Sequence, residues 1–217
     1  GGADVAAPSL ATADHPELRR MTQGDAFVAQ VLRRGCAVVQ PDYAGSGGPG
    51  SHPYLIGSSL ARAVIDMAQA ARDEYALAGH WVSAGHSEGA VAALWAASTA
   101  PHDSKAAGLD LRGVCAFAPV TRMDLSIGAS LRLPVVLPGF AVVSPLIGLM
   151  LLGAQTTDPE LAALIEADGL SARAKSVWHH LENRSLTEMC GPDSWGAIAP
   201  RHILGAEGAR VRARLLA

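Results

Sequence analysis

The chain has 217 residues, 49% of them hydrophobic and 17% charged, which is enough for one large domain with a sizeable core or two small ones. A formal net charge of -3 with 5% aromatic residues supplies neither the basic excess that neutralises phosphates nor a platform that stacks bases, which argues against nucleic acid as a partner. The three cysteines, Cys36, Cys115 and Cys190, form no C-x-x-C pair, which excludes a zinc knuckle or a thioredoxin-type motif.

The chain opens on Gly1-Gly2-Ala3-Asp4, with neither an initiator methionine nor a charged segment followed by an apolar one, so no signal peptide is read in it. Residues 1 to 25 read as loop. A short amphipathic helix from Asp25 to Arg34 leads into a first strand, Cys36 to Gln40, whose Val38 and Val39 sit between Gly35 and Pro41. Asp42 to Pro53 is a glycine-rich loop. Ser58 or Ser59 is placed to cap a helix reaching Tyr75, with Leu60, Val64, Met67 and Ala71 on one face. A second strand, His80 to Ala84, precedes a helix from Glu88 to Ser98, whose run Ala90 to Ala97 has no polar face and so predicts burial all round. Arg112 to Ala118 is a third strand.

Strand, helix, strand, helix, strand is the alternation of an α/β fold, a parallel sheet with flanking helices joined by right-handed crossovers. From Asp124 the pattern changes. Leu133 to Leu152 is twenty residues without a charge, long enough for a bilayer, yet Pro134, Pro138, Gly139, Pro145 and Gly148 weaken a spanning helix and favour a buried or interfacial flap. Asp158 with Pro159 reads as an N-cap followed by proline at the first helical position. A helical run, Ser171 to Asn183, follows, and Arg201 to Ala217 is helical or frayed. These changes divide the chain into a core at 1–123, a helical cap at 124–200 and a C-terminal segment at 201–217.

The sharpest local signal is Gly85-His86-Ser87-Glu88-Gly89, a G-x-S-x-G pentapeptide directly after an apolar strand and directly before an apolar helix. That context predicts a tight turn in which Ser87 is held strained at the sheet edge, near the positive end of the next helix. Side chains at 85 and 89 would collide with neighbouring backbone in such a turn. His86 reads as a packing residue beside the serine.

Around this turn the sequence resembles the α/β-hydrolase superfamily and, within it, the secretory lipase family. The resemblance runs through Ala7-Pro8-Ser9-Leu10, Gln40-Pro41-Asp42-Tyr43-Ala44-Gly45-Ser46-Gly47, His52-Pro53-Tyr54-Leu55, Ala61 to Asp66, the pentapeptide, and Leu111 to Pro119, covering roughly the first 125 residues. It implies carboxylic ester hydrolysis through an acyl-enzyme on Ser87, with the backbone N–H of Glu88 as oxyanion donor and Gly85, His86 and Gly89 supporting the turn. It also implies an acyl ester or lipid substrate, lipid-surface contact through 133–152, secretion, and no metal or organic cofactor.

That chemistry needs a histidine as base and a carboxylate to orient it, which follow the nucleophile in the order acid, then histidine. In the family both sit on loops after later strands, beyond the cap, and the second oxyanion donor sits near the Ala-Pro-Ser motif. No such later strand is read here, so the resemblance implies an internal piece of a lipase, weak or inactive alone. Asp124, after the third strand, is the best-placed acid. Asp193 and His202 lie nine residues apart with no strand between them and read as solvated surface groups.

Two weaker patterns point elsewhere. Gly45-Ser46-Gly47-Gly48-Pro49-Gly50 matches the dinucleotide fingerprint G-x-G-x-x-G, but Pro49 intrudes and His52-Pro53-Tyr54 keeps the loop from running into a helix. His179 and Glu182 have a spacing that could seat a metal, but His180 points differently and no third ligand is evident, so they read as surface residues. The rival from another class is a non-catalytic hydrolase-like domain that binds apolar ligands or a partner.

Overall fold

The computed structural model describes residues 25–216 apart from 47 and 138. Contacts group them into two units, one holding 25–46 and 55–120, the other 48–54 and 121–216. The loop 48–54 thus belongs with the second unit, as do residues 201–216.

The first unit contains α1 (Asp25–Arg33), α2 (Gly57–Tyr75), β1 (His80–His86), α3 (Glu88–Thr99) and β2 (Asp110–Phe117). The strands are parallel and joined through α3, so the α/β alternation read in the sequence is the observed fold. Register runs from His80 opposite Asp110 to His86 opposite Phe117; Trp81 faces Leu111 while Val82 faces Gly113, which leaves Arg112 bulged. Exposure alternates along β1, with Ser83 buried and Val82 open. That period of two means one face of the sheet is covered and the other is not. α3 packs on both strands and on α2. Ala61, Ile65, Ala96 and Ala106 form a buried cluster against which Val64, Trp81 and Leu109 pack.

Three expectations are corrected here. Cys36–Gln40 is not a paired strand, and Cys36 and Val39 are exposed. A strand exists only where a neighbour takes its ladder bonds, and no pairing is made to this segment among the described residues. α2 starts before both serines, with Ile56 as N-cap and no side-chain cap bond. Its first residue is Gly57, where a Cβ would lie 2.1 Å from the Trp95 ring, so close indole packing marks the start instead of a hydroxyl. α3 is not buried all round: Leu94 and Trp95 are 42% and 48% exposed, while Ala90–Ala93 and Ala96 are buried.

The second unit is helical among its described residues: α4 (Met123–Ser130), α5 (Val143–Gln155), α6 (Pro159–Leu164), α7 (Ala172–Ser176), α8 (His180–Asn183), α9 (Leu186–Met189) and α10 (Gly208–Leu215), with an isolated antiparallel bridge between Leu170 and Leu204. Ile147, Leu149, Leu151, Leu152, Leu161, Leu181, Met189, Trp195, Ile203 and Val211 are among its fully buried side chains. Pro145 sits in the first turn of α5, where its missing N–H breaks nothing. Gly148 and Gly153 let α5 approach its neighbours: a Cβ would meet Leu181 and Trp195 at the first, and the Tyr54 carbonyl oxygen at 2.3 Å at the second. No described helix is long and apolar enough to cross a membrane. The stretch before α5 differs, since Val135, Leu137 and Phe140 are all exposed.

Asp158 caps α6 as read, accepting from the N–H groups of Glu160 and Leu161. The helical run Ser171 to Asn183 is broken. Val177 ends α7, and its carbonyl accepts from Trp195 Nε1 at 3.0 Å and from the His180 N–H instead of continuing the ladder to Leu181. Arg214 on α10 pairs with Asp158 and Glu160 at the start of α6.

Candidate active site

β1 ends at His86 and α3 begins at Glu88, so Ser87 alone makes the turn. Its φ of 54° and ψ of -115° lie where an L-residue is strained, at a cost of about 1–3 kcal/mol. The backbone around it holds the strain in place. Ser87 N–H donates to the Phe117 carbonyl at 2.9 Å, and the Ser87 carbonyl accepts from Ala90 N–H at 3.0 Å and Val91 N–H at 3.2 Å. A serine at this position ordinarily caps the helix through its hydroxyl, but this one makes no cap bond. The Oγ is therefore not used by the helix. The N–H of Glu88, in the first turn, has no intrahelical acceptor and can serve an anion.

The glycines divide. A Cβ on Gly85 would lie 2.0 Å from the Gly89 carbonyl oxygen, so the collision expected at 85 is real. At Gly89 the nearest atom would be the Tyr43 hydroxyl at 3.9 Å, an ordinary contact, so the collision expected there is not found. His86 is exposed, not packed. The strand's alternation turns it to the uncovered face.

Two residues to which the sequence reading gave no role lie beside the turn. Burial, and then the Glu88 carboxylate, push the Tyr43 phenol up to about 12. Leu55 is buried with φ of 61°, and its N–H approaches Glu88 Oε1 at 3.5 Å. No local spacing signals either one, since both reach the turn from far upstream in the chain.

The candidate acids and bases are occupied elsewhere. Asp124 is exposed and pairs with Arg122, whose hydrogen bonds hold its carboxyl below the usual range. Asp193 pairs with Arg184 in the same way, and His202 accepts from Arg201. In the first unit, His102 lies past the end of α3, about 18 Å from its start, and His80 opens β1, about 20 Å from the turn. His180 is buried with its Nδ1 2.8 Å from Ser194 Oγ, and Glu182 accepts from Ser51 at 2.6 Å. No metal-holding group of three or more His, Cys, Asp or Glu side chains exists among the described residues. The glycine-rich loop does not run into a helix, since α2 begins only at Gly57. Ala7-Pro8-Ser9 lies outside the described residues.

The sequence model of the secretory lipase family matches residues 18–192, most of the chain and the whole strand, turn and helix around Ser87. The chain belongs to the secretory lipase family. No curated protein sequence matches this family member. Among solved structures, Candida antarctica lipase A in its closed state is similar at a TM-score of 0.61 and 22% identity, over 82% of this secretory lipase chain and 39% of that one. At such identity the likeness speaks for the fold. This chain spans 39% of the length of that lipase.

Proposed function

We propose that Ser87 is the nucleophile of a carboxylic ester hydrolase acting on acyl esters or lipids. The observation that carries this reading is the backbone of Ser87, strained between a parallel strand and a helix and left uncapped by its own hydroxyl. Ser87 Oγ attacks the acyl carbonyl and gives its proton to a base. The tetrahedral oxyanion is held by the Glu88 N–H, a donor of a kind typically worth about 100- to 1000-fold in rate. Collapse releases the alcohol and leaves an acyl-serine, which water hydrolyses to the acid, restoring Ser87. The chemistry calls for no metal or organic cofactor. Gly85 permits the turn, and Gly89 and His86 flank it.

Secretion and a lid role for 133–152, with Val135, Leu137 and Phe140 meeting acyl chains or a lipid surface, belong to the same proposal. The test is a fluorophosphonate probe, which should label Ser87 in a protein that also supplies the base and the acid, and fail on Ser87→Ala. Strong labelling elsewhere with Ser87 untouched refutes the assignment.

A second reading, a non-catalytic hydrolase-like domain that binds apolar ligands or a partner, is favoured by the remoteness of His80 and His102 from the turn. On either reading this chain by itself should turn over p-nitrophenyl esters negligibly. Robust Ser87-dependent turnover would mean that a histidine of this chain serves as base, with His202 the first to replace.

A further inference from the structure

Resting on the reading of Ser87 as nucleophile, we propose that the side chain of Glu88 is a positioning residue that ties the turn to Leu55 and Tyr43, fixing the peptide whose N–H meets the oxyanion. Glu88 so acts twice, through its backbone on substrate and through its carboxylate on the loop beside it.

Leu55 supplies the first argument. Its φ of 61° is the left-handed region, disfavoured for a branched side chain, and the residue is buried. A buried N–H in such a conformation needs an acceptor, and Glu88 Oε1 approaches it at 3.5 Å. A carboxylate holds an N–H more strongly than a neutral acceptor. Tyr43 supplies the second. Its hydroxyl lies 3.9 Å from where a Cβ of Gly89 would be, and the Glu88 charge acts on its phenol.

The consequence runs through the backbone. Glu88 follows Ser87 directly, so a shift of its Cα rotates the Ser87–Glu88 peptide and moves the oxyanion donor. Small misplacements of a pre-aimed donor cost rate steeply.

The test compares three variants of the complete chain by Leu55 amide exchange, by NMR titration of the Tyr43 phenol and by the rate of fluorophosphonate labelling at Ser87. Glu88→Ala should speed Leu55 exchange and slow labelling, each about tenfold, the size of one hydrogen bond to a charged acceptor. Glu88→Gln keeps an acceptor without the charge. It should restore Leu55 protection, recover much of the labelling rate and let the phenol titrate lower. Glu88→Asp, with a shorter arm and the charge kept at the helix start, repeats the comparison if Glu88→Ala does not fold, and should also lose Leu55 protection and rate. Labelling that is unchanged, or slowed without faster Leu55 exchange, overturns the positioning role. Failure of Ser87 to label in a wild-type protein that supplies the base and the acid overturns the nucleophile reading itself, and the positioning role with it.

Discussion

Gly85 lies so near Gly89 that a Cβ on the first would sit 2.0 Å from the carbonyl oxygen of the second. Backbone on both sides leaves nothing soft to move. Gly85→Ala should therefore destabilise the chain by about 3 kcal/mol or more and abolish probe labelling. Gly89→Ala, early in α3 with only an ordinary contact to the Tyr43 hydroxyl at 3.9 Å, should cost nothing and can gain up to about 1 kcal/mol of helix propensity. Urea unfolding of the two variants checks the contrast, and equal losses would falsify it.

The strain at Ser87 predicts a second contrast. Ser87→Ala keeps a Cβ at φ 54°, whereas Ser87→Gly removes it. The glycine variant should be the more stable by about 1 kcal/mol, while neither is labelled. Thermal unfolding of the pair decides this, and a less stable glycine variant would contradict the strain.

A third prediction concerns acid. Burial, then the nearby charges of Arg184 and His179, lower the His180 pKa, with Asp193 opposing them and Arg173 adding to the effect. A base whose pKa falls on folding is neutral in the fold, so its contribution is fully present above the unfolded value, about 6.5, and is lost as pH falls from there through the folded value. Trp178 and Trp195 fluorescence should report a drop in stability below about pH 6.5 that is flattened in His180→Leu. Ser194→Ala should cost about 1–3 kcal/mol at neutral pH by leaving the buried imidazole without its partner. A pH profile identical in wild type and His180→Leu would remove His180 from the account.

Charges placed at Val136 and Phe140 test the lid. Phe140 is 56% exposed, so a charge there is tolerated by the fold. In an active enzyme, hydrolysis of long-chain esters should fall more than that of short-chain ones, because each buried CH₂ contributes about 0.8 kcal/mol. Equal losses on both substrates would return the segment to a purely structural role.

The parts legible in the sequence are those built from neighbours. The pentapeptide, the two strands it helps connect, and the Asp158-Pro159 helix start each lie within a few residues, so local pattern suffices to find them. The parts that were not legible depend on distant residues. Val38 and Val39 look like strand residues, but pairing requires another strand, and a valine pair cannot say whether one comes. Ser58 and Ser59 look like caps, but the start of α2 answers to the indole of Trp95 lying over Gly57. Tyr43 and Leu55 reach the turn from residues far upstream, and no spacing rule connects them to Glu88.

Trp195 and Val177 show what such distance means for the order of folding. A peptide spanning 171–183 by itself lacks Trp195, whose indole claims the Val177 carbonyl, so its ladder loses that reason to stop there. The bend between α7 and α8 is acquired only when Trp195, eighteen residues later in the chain, reaches that carbonyl. The break between α7 and α8 is thus set by a side chain outside the segment that breaks. Trp195→Phe, which fills much of the same space without the N–H, should let the two helices rejoin.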